Sequence, residues 1–161
     1  MLLQTNLFAN KPPANPTWNI AVTVEPLVGE KLSTSAMAWA GWQFVVRLGT
    51  TVIFDMPVVH KITVCKQIPD LAYFSEQDLE IELLSAPILI KGQALKVKIE
   101  IEGIDITDVL VDKQIYQLAD GSLKYGADVM GEVGVQRLPI TTPIYRWLFE
   151  HEKLLLRQFS S

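Results

Sequence analysis

From Trp18 onward the chain alternates. Trp18, Ile20, Val22 and Val24 are interleaved with Asn19, Ala21, Thr23 and Glu25 until Pro26 stops the run. A period of two sends successive side chains to opposite faces, which predicts a half-buried strand. Leu79, Ile81 and Leu83 alternate with Glu80 and Glu82 in the same way. Over residues 51–66 the pattern is longest: Val52, Phe54, Met56, Val58, His60, Ile62 and Val64 share one face, opposite Asp55, Lys61 and Thr63. Pro57 interrupts that run without an N–H to donate, so an edge strand or a bulge is expected there. Residues 36–48 fit two patterns. Trp39, Trp42 and Val46 share a helical face, whereas Trp42, Phe44, Val46 and Leu48 alternate as in a strand; Gly41 and the lack of Lys and Glu favour the strand.

Turn residues then divide the chain. With Glu102-Gly103 as a two-residue turn, Ile101 faces Ile104 and Ile99 faces Ile106, at the cost of setting Glu100 against Asp105. With Asp120-Gly121 as the turn, Leu118 faces Leu123 and Tyr116 faces Tyr125; Asp-Gly is a favoured pair for tight hairpins. Pro87 to Ile90 reads as a short apolar piece. Gly126, Gly131 and Gly134 punctuate a broken strand that runs to Leu138.

Two segments depart from the strand pattern. Residues 1–17 hold three Asn and three Pro with no apolar period and predict an extended or disordered arm ahead of a single β-rich domain, 18–161. At the other terminus Thr142 can cap, Pro143 suits a first helical position, and residues 144–159 contain neither Gly nor Pro. This predicts an α-helix over 143–159. At about 100° per residue, Ile144, Trp147, Leu148, Leu154, Leu155 and Phe159 form one apolar stripe of about 140°. Tyr145, Phe149 and Leu156 form a second beside it, giving a combined arc of about 220°, more than one packed face needs. The sum predicts a mainly β fold: a β-sandwich or partly open β-barrel of 7–10 short strands with one C-terminal helix.

Composition adds exclusions. The net charge is −4 and no basic stripe is visible, so a nucleic-acid partner is not expected. Residues 70–112 carry ten carboxylates against three lysines, which reads as a solvated sheet face. The single cysteine, Cys65, rules out a disulfide framework and a multi-cysteine zinc site. The longest uncharged run, 32–46, is shorter than a spanning helix requires, and no basic residue precedes an apolar N-terminal stretch. The expectation is a cytoplasmic protein without a membrane partner.

Candidate chemistry is sparse. Neither GxGxxG, GxxxxGK[ST] nor GxSxG occurs. Asp105, Asp108 and Asp112 would share a face only on a helix, and the β-branched residues around them favour a strand. No metal and no cofactor is therefore expected. His60, between Val58 and Ile62, reads as a core histidine or as a polar anchor in a ligand cavity, with Trp42 as a second candidate ligand contact. Two functional readings stay open. One is a non-catalytic interaction and assembly module, self-associating through Tyr145, Phe149 and Leu156 of the C-terminal helix. The other is a small-molecule-binding barrel or an enzyme using His60. The lack of any catalytic constellation favours the first.

Overall fold

A computed structural model of the chain describes residues 18–68, 77–107 and 115–140, together with Arg146. The fold is mainly β, with two sheets, one of them curled into a half-barrel. The strands are β1 (Trp18–Val28), β2 (Lys31–Leu32), β3 (Gln43–Leu48), β4 (Thr51–Pro57), β5 (Ile62–Ile68), β6 (Gln77–Ser85), β7 (Gln93–Ile101), β8 (Ile104–Asp105), β9 (Ile115–Leu118), β10 (Leu123–Tyr125), β11 (Val129–Met130) and β12 (Gly134–Ile140). They exceed the expected number because β2, β8 and β11 are two-residue pieces. The expected arm 1–17 and helix 143–159 lie outside the described residues, apart from Arg146. Among those residues no helix is long and apolar enough to cross a membrane.

The first sheet runs β11-β7-β1-β2, with β5 also on β1 and β8 also on β7; the second runs β10-β9-β12-β6-β3-β4. Every described pairing is antiparallel. The alternation along each strand makes one shared core. Ile20, Val22 and Val24 of β1 and Leu95, Val97 and Ile99 of β7 join Phe44, Val46, Leu48, Leu79, Ile81 and Leu83 of the second sheet in a single buried cluster. On the outer face of the second sheet, Glu80 and Glu82 are matched by neighbours: Arg47 donates to both carboxylates and Arg137 to Glu80. The Arg137 guanidinium, with help from Arg47, holds the Glu80 carboxyl below its ordinary range.

The long run over 51–66 is not one strand. It breaks after Pro57, because β4 ends there as an edge strand of the second sheet and β5 begins at Ile62 in the first. Residues 58–61 cross between the sheets. Val58 stays buried, but Val52 and His60 are exposed, so the face they were expected to share does not exist. Cys65, facing Ala21 across the β1–β5 pair, is exposed and free rather than a small core residue. Residues 36–48 divide: Ala36–Trp39 is a 3-10 turn, and the strand begins only at Gln43.

The two hairpins fare differently. Glu102-Gly103 turns with φ 50° and 78°, and Ile101 faces Ile104 with Glu100 against Asp105, as the sequence predicts. At Asp120-Gly121 the register slips by one. Gln117 faces Leu123, Tyr116 faces Lys124 and Ile115 faces Tyr125. Leu118 donates to the Ser122 carbonyl, Gly121 donates back to Leu118, and Gly121 has φ 89°. This is a three-residue loop ending in a left-handed residue, not a two-residue turn. A slip of one residue turns every side chain over. Leu123 and Tyr125, expected beside Tyr116, therefore face outward.

Tyr116 remains inside, fully buried, with its hydroxyl donating to the Glu132 carbonyl and Lys124 Nζ lying 4.8 Å from its ring centre. Burial pushes its pKa up to about 12 from 10.0. As pH rises, the unfolded chain loses this proton first, so stability present below pH 10 should decline between about 10 and 12. Denaturant melts across that window should show the decline in the wild type and a flatter profile in Tyr116→Phe. Gly134 makes this packing feasible, since a Cβ there would stand 2.6 Å from the Tyr116 ring and 2.3 Å from the Gln117 carbonyl. Gly134→Ala should lower stability by about 1–3 kcal/mol, through overpacking, read as a shifted denaturation midpoint.

Candidate functional site

One end of the two-sheet body is closed by aromatic mass. The 3-10 turn Ala36–Trp39 and the following residues insert Trp39 and Trp42, both fully buried, with ring centres 4.7 Å apart in an edge arrangement. An indole N–H must find a partner when its ring is buried. Trp39 Nε1 donates to Ser33 Oγ at 2.9 Å and Trp42 Nε1 to the Pro87 carbonyl at 2.8 Å. The second bond fixes the start of the loop between β6 and β7. Gly41, at φ 87°, lies against Pro87 so closely that a Cβ would stand 3.0 Å from its ring.

The other half of that loop is fixed by Gln93, only 3% exposed. Its Oε1 accepts from Leu89 N (2.7 Å) and Ile90 N (3.0 Å), and its Nε2 donates to the Ala38 carbonyl (2.7 Å). One amide therefore ties the 86–92 loop to the 3-10 turn. Gly29 N adds a bond to the Gly92 carbonyl at 3.1 Å, joining the β1–β2 turn to the same cluster.

The outcome is an apolar tip. Met37 is 85% exposed, Leu89 65%, Ile88 53% and Ile90 43%. Scattered exposed apolar residues need no explanation. Four on two loops joined by a single side chain do, particularly as three are consecutive. In a strand lying on a core, one of three neighbours would face inward. Here all three stand out, and the charges on the adjoining turns, exposed Glu30, Lys31 and Lys91, are mixed in sign.

A second apolar surface lies on the edge of the second sheet that β9 and β10 form. The slipped hairpin brings Ile115, Leu123 and Tyr125 to the outer face, where with Lys124 they line a shallow groove of about 220 Å³. Tyr125 is 86% exposed. Ile115 faces Arg137 of β12, three residues before that strand ends at Ile140. β12 thus ends about 10 Å along the strand from this groove.

The residues singled out from sequence scatter. His60 is exposed on the sheet-to-sheet crossing, its Nδ1 2.9 Å from the neighbouring Lys61 carbonyl, and it is neither a core histidine nor a cavity anchor. The break after Pro57 removed the strand face that would have buried it. Trp42 is buried and supports the tip from beneath; its polar atom is committed to Pro87. Tyr145, Phe149 and Leu156 lie outside the described residues, as do Asp108 and Asp112. Asp105 is exposed and accepts from Thr107 N at 2.9 Å. Among the described residues no three His, Cys, Asp or Glu side chains gather as a metal ion would require. Met37 and Gln93 carried no sequence signal as site residues, and Ile88 to Ile90 registered only as a short apolar piece.

Comparison with family models, curated proteins and solved structures yields no match for the chain. What the geometry offers is two apolar surfaces on a frame whose buried polar groups bond to its own backbone. Gln136 forms two bonds with Ala127, and Thr107 Oγ1 accepts from Ile99 N. Such surfaces bind by excluding water. Removing the clamp should expose this division of labour. Gln93→Leu should cost about 1–3 kcal/mol by leaving backbone groups without their partner. Hydrogen exchange should accelerate at the Leu89 and Ile90 amides while the β1 and β7 amides hold their relative order.

Proposed function

We propose that this chain is a non-catalytic interaction and assembly module that self-associates through its C-terminal helix, residues 143–159. The observation that supports the reading is the apolar groove of Ile115, Leu123 and Tyr125 beside β12, whose nearest residue, Ile115, faces Arg137 three residues before the strand ends. A helix of that length is about 25 Å long. It starts three residues beyond Ile140 and has the groove within reach. Its broader stripe, centred on Ile144, Leu148 and Leu155, suits the groove. Seating that stripe there leaves Tyr145, Phe149 and Leu156 turned about 100° from the face that meets the sheet, at 100° per residue. An apolar stripe so placed is a contact for another chain, since burial of several large side chains is what drives association.

The reading competes with coverage of the second stripe by the chain's own residues 1–17, through Leu3, Leu7 and Phe8. Light scattering at micromolar concentration separates the two. Wild type should have the mass of a dimer or larger. Phe149→Glu combined with Leu156→Glu should give a folded, smaller species. A wild-type monomer would contradict the proposal.

A further inference from the structure

We infer that the free edge of β5 is a further contact between copies of this chain, in which two β5 strands pair antiparallel about a two-fold axis at Cys65. The contact goes beyond the helix-mediated reading and does not depend on it. Hydrogen bonds fix which backbone groups point outward. Asn19 N donates to the Glu102 carboxylate and the Asn19 carbonyl accepts from Glu102 N, so the Asn19 backbone faces the β7 side. The Pro26 carbonyl accepts from Ser33 N and so faces the side of β2 and β5. Backbone groups alternate sides along a strand, so Trp18, Ile20, Val22 and Val24 face β5. Their partners Ile68, Lys66, Val64 and Ile62 direct their N–H and C=O groups at β1. Thr63, Cys65 and Gln67, between them, direct theirs away from the sheet. All three are exposed, and among the described residues no strand or loop bonds to those groups.

The other edges are blunted. A row of unpaired N–H and C=O groups is a template for another strand, and folds guard against it with short strands, prolines, bulges and charges. Among the described residues, the edge strands β2, β8 and β11 have two residues each and β10 has three. β4 ends in Pro57, its pairing with β3 is irregular after Val46, and its Val52 carbonyl accepts from Lys66 Nζ at 2.7 Å. β5 has seven residues, all paired with β1 in unbroken register, and no proline. Its outward residues Thr63, Cys65 and Gln67 are uncharged, as are Thr23, Ala21 and Asn19 beside them on β1. Lys66 lies on the opposite face, its ammonium drawn to β4 of its own copy. A second copy is the occupant that fits. Chains that each carry a net charge of −4 repel one another least where they meet along a neutral edge. With the axis at Cys65, all three outward residues are used: Cys65 faces the partner's Cys65 and Thr63 faces the partner's Gln67. Val64 then faces the partner's Lys66, so no like charges stand directly opposite. A contact of one surface with its own copy closes at two chains.

Cys65 reports on this contact, because it is the chain's single cysteine and any disulfide must join two copies. Residues that exchange hydrogen bonds across an antiparallel pair have Cα atoms about 5.5 Å apart, within disulfide reach. Under a mild thiol oxidant at micromolar concentration, the wild type should become a covalent dimer on a non-reducing gel. It should do so faster than Cys65→Ser/Lys98→Cys, whose thiol would be exposed on the same face of the sheet but on β7. Gln67→Pro removes an outward N–H from each copy and leaves the bonds to β1 intact. It should stay folded by circular dichroism and cross-link about tenfold more slowly. If that change perturbs folding, Thr63→Lys/Gln67→Lys sets like charges opposite and should slow the reaction in its place, whereas Thr63→Lys/Gln67→Glu sets unlike charges opposite and should restore it. A wild type that cross-links no faster than the Lys98→Cys control overturns the inference, as does a folded Gln67→Pro or double-lysine variant with an unchanged rate. A chain that is dimeric by light scattering while Cys65 stays unlinked overturns the edge contact alone and leaves helix-mediated association standing.

Discussion

Trp42 is held by opposite demands, and the end of the molecule that matters most is arranged around the way they are met. Its ring belongs in the core and its N–H cannot remain there unpaired, since an unsatisfied buried donor costs about 1–3 kcal/mol. The Pro87 carbonyl supplies the partner. That bond draws the 86–92 loop across the mouth of the two-sheet body, and Gln93 then fixes the rest of the loop to the 3-10 turn. The same pair of contacts that seals the core forces Ile88, Leu89 and Ile90 outward. The apolar tip is thus a consequence of how the core is closed, which makes it a fixed feature rather than an accident of loop composition.

A second constraint works at the β9–β10 edge of the second sheet. Tyr116 must be inside, where its hydroxyl finds the Glu132 carbonyl and Gly134 leaves room for its ring. The three-residue turn at Asp120-Gly121 fixes the β10 register against β9, and that register turns Leu123 and Tyr125 to the surface. Both apolar surfaces therefore trace to a buried aromatic residue whose polar atom had to be satisfied. The charged ladder of Arg47, Glu80, Glu82 and Arg137 crosses the outer face of the second sheet, matched within itself.

Much of the fold was legible in the alternation of side chains. The β6 pattern and most of β1 read directly because one face of each strand is apolar, although β1 runs past Pro26 to Val28. Residues 36–48 fitted helix and strand alike and contain both a 3-10 turn and β3. The Glu102-Gly103 hairpin read directly from its apolar cross-strand pair. The errors have a common source. Period-two patterning says that a segment is extended, but not that it stays in one sheet, so the crossing at residues 58–61 was invisible and His60 was assigned to a face it does not occupy. Asp-Gly signals a hairpin without counting the residues in its loop, and one residue decides which face Leu123 and Tyr125 take. The candidate site was hardest to see. Gln93 and Met37 acquire meaning only through contacts between segments some 55 residues apart, as the bond from Gln93 to Ala38 illustrates.

The central claim is the proposal that copies of this chain associate through the C-terminal stripe of Tyr145, Phe149 and Leu156. Hydrogen exchange of the unmodified chain, followed across a dilution series that spans its assembly, tests this most directly. The account predicts that residues 145–156 gain protection as mass increases, while the Ile115 and Tyr125 region is unchanged. Assembly that proceeds with no added protection at residues 145–156 would contradict it.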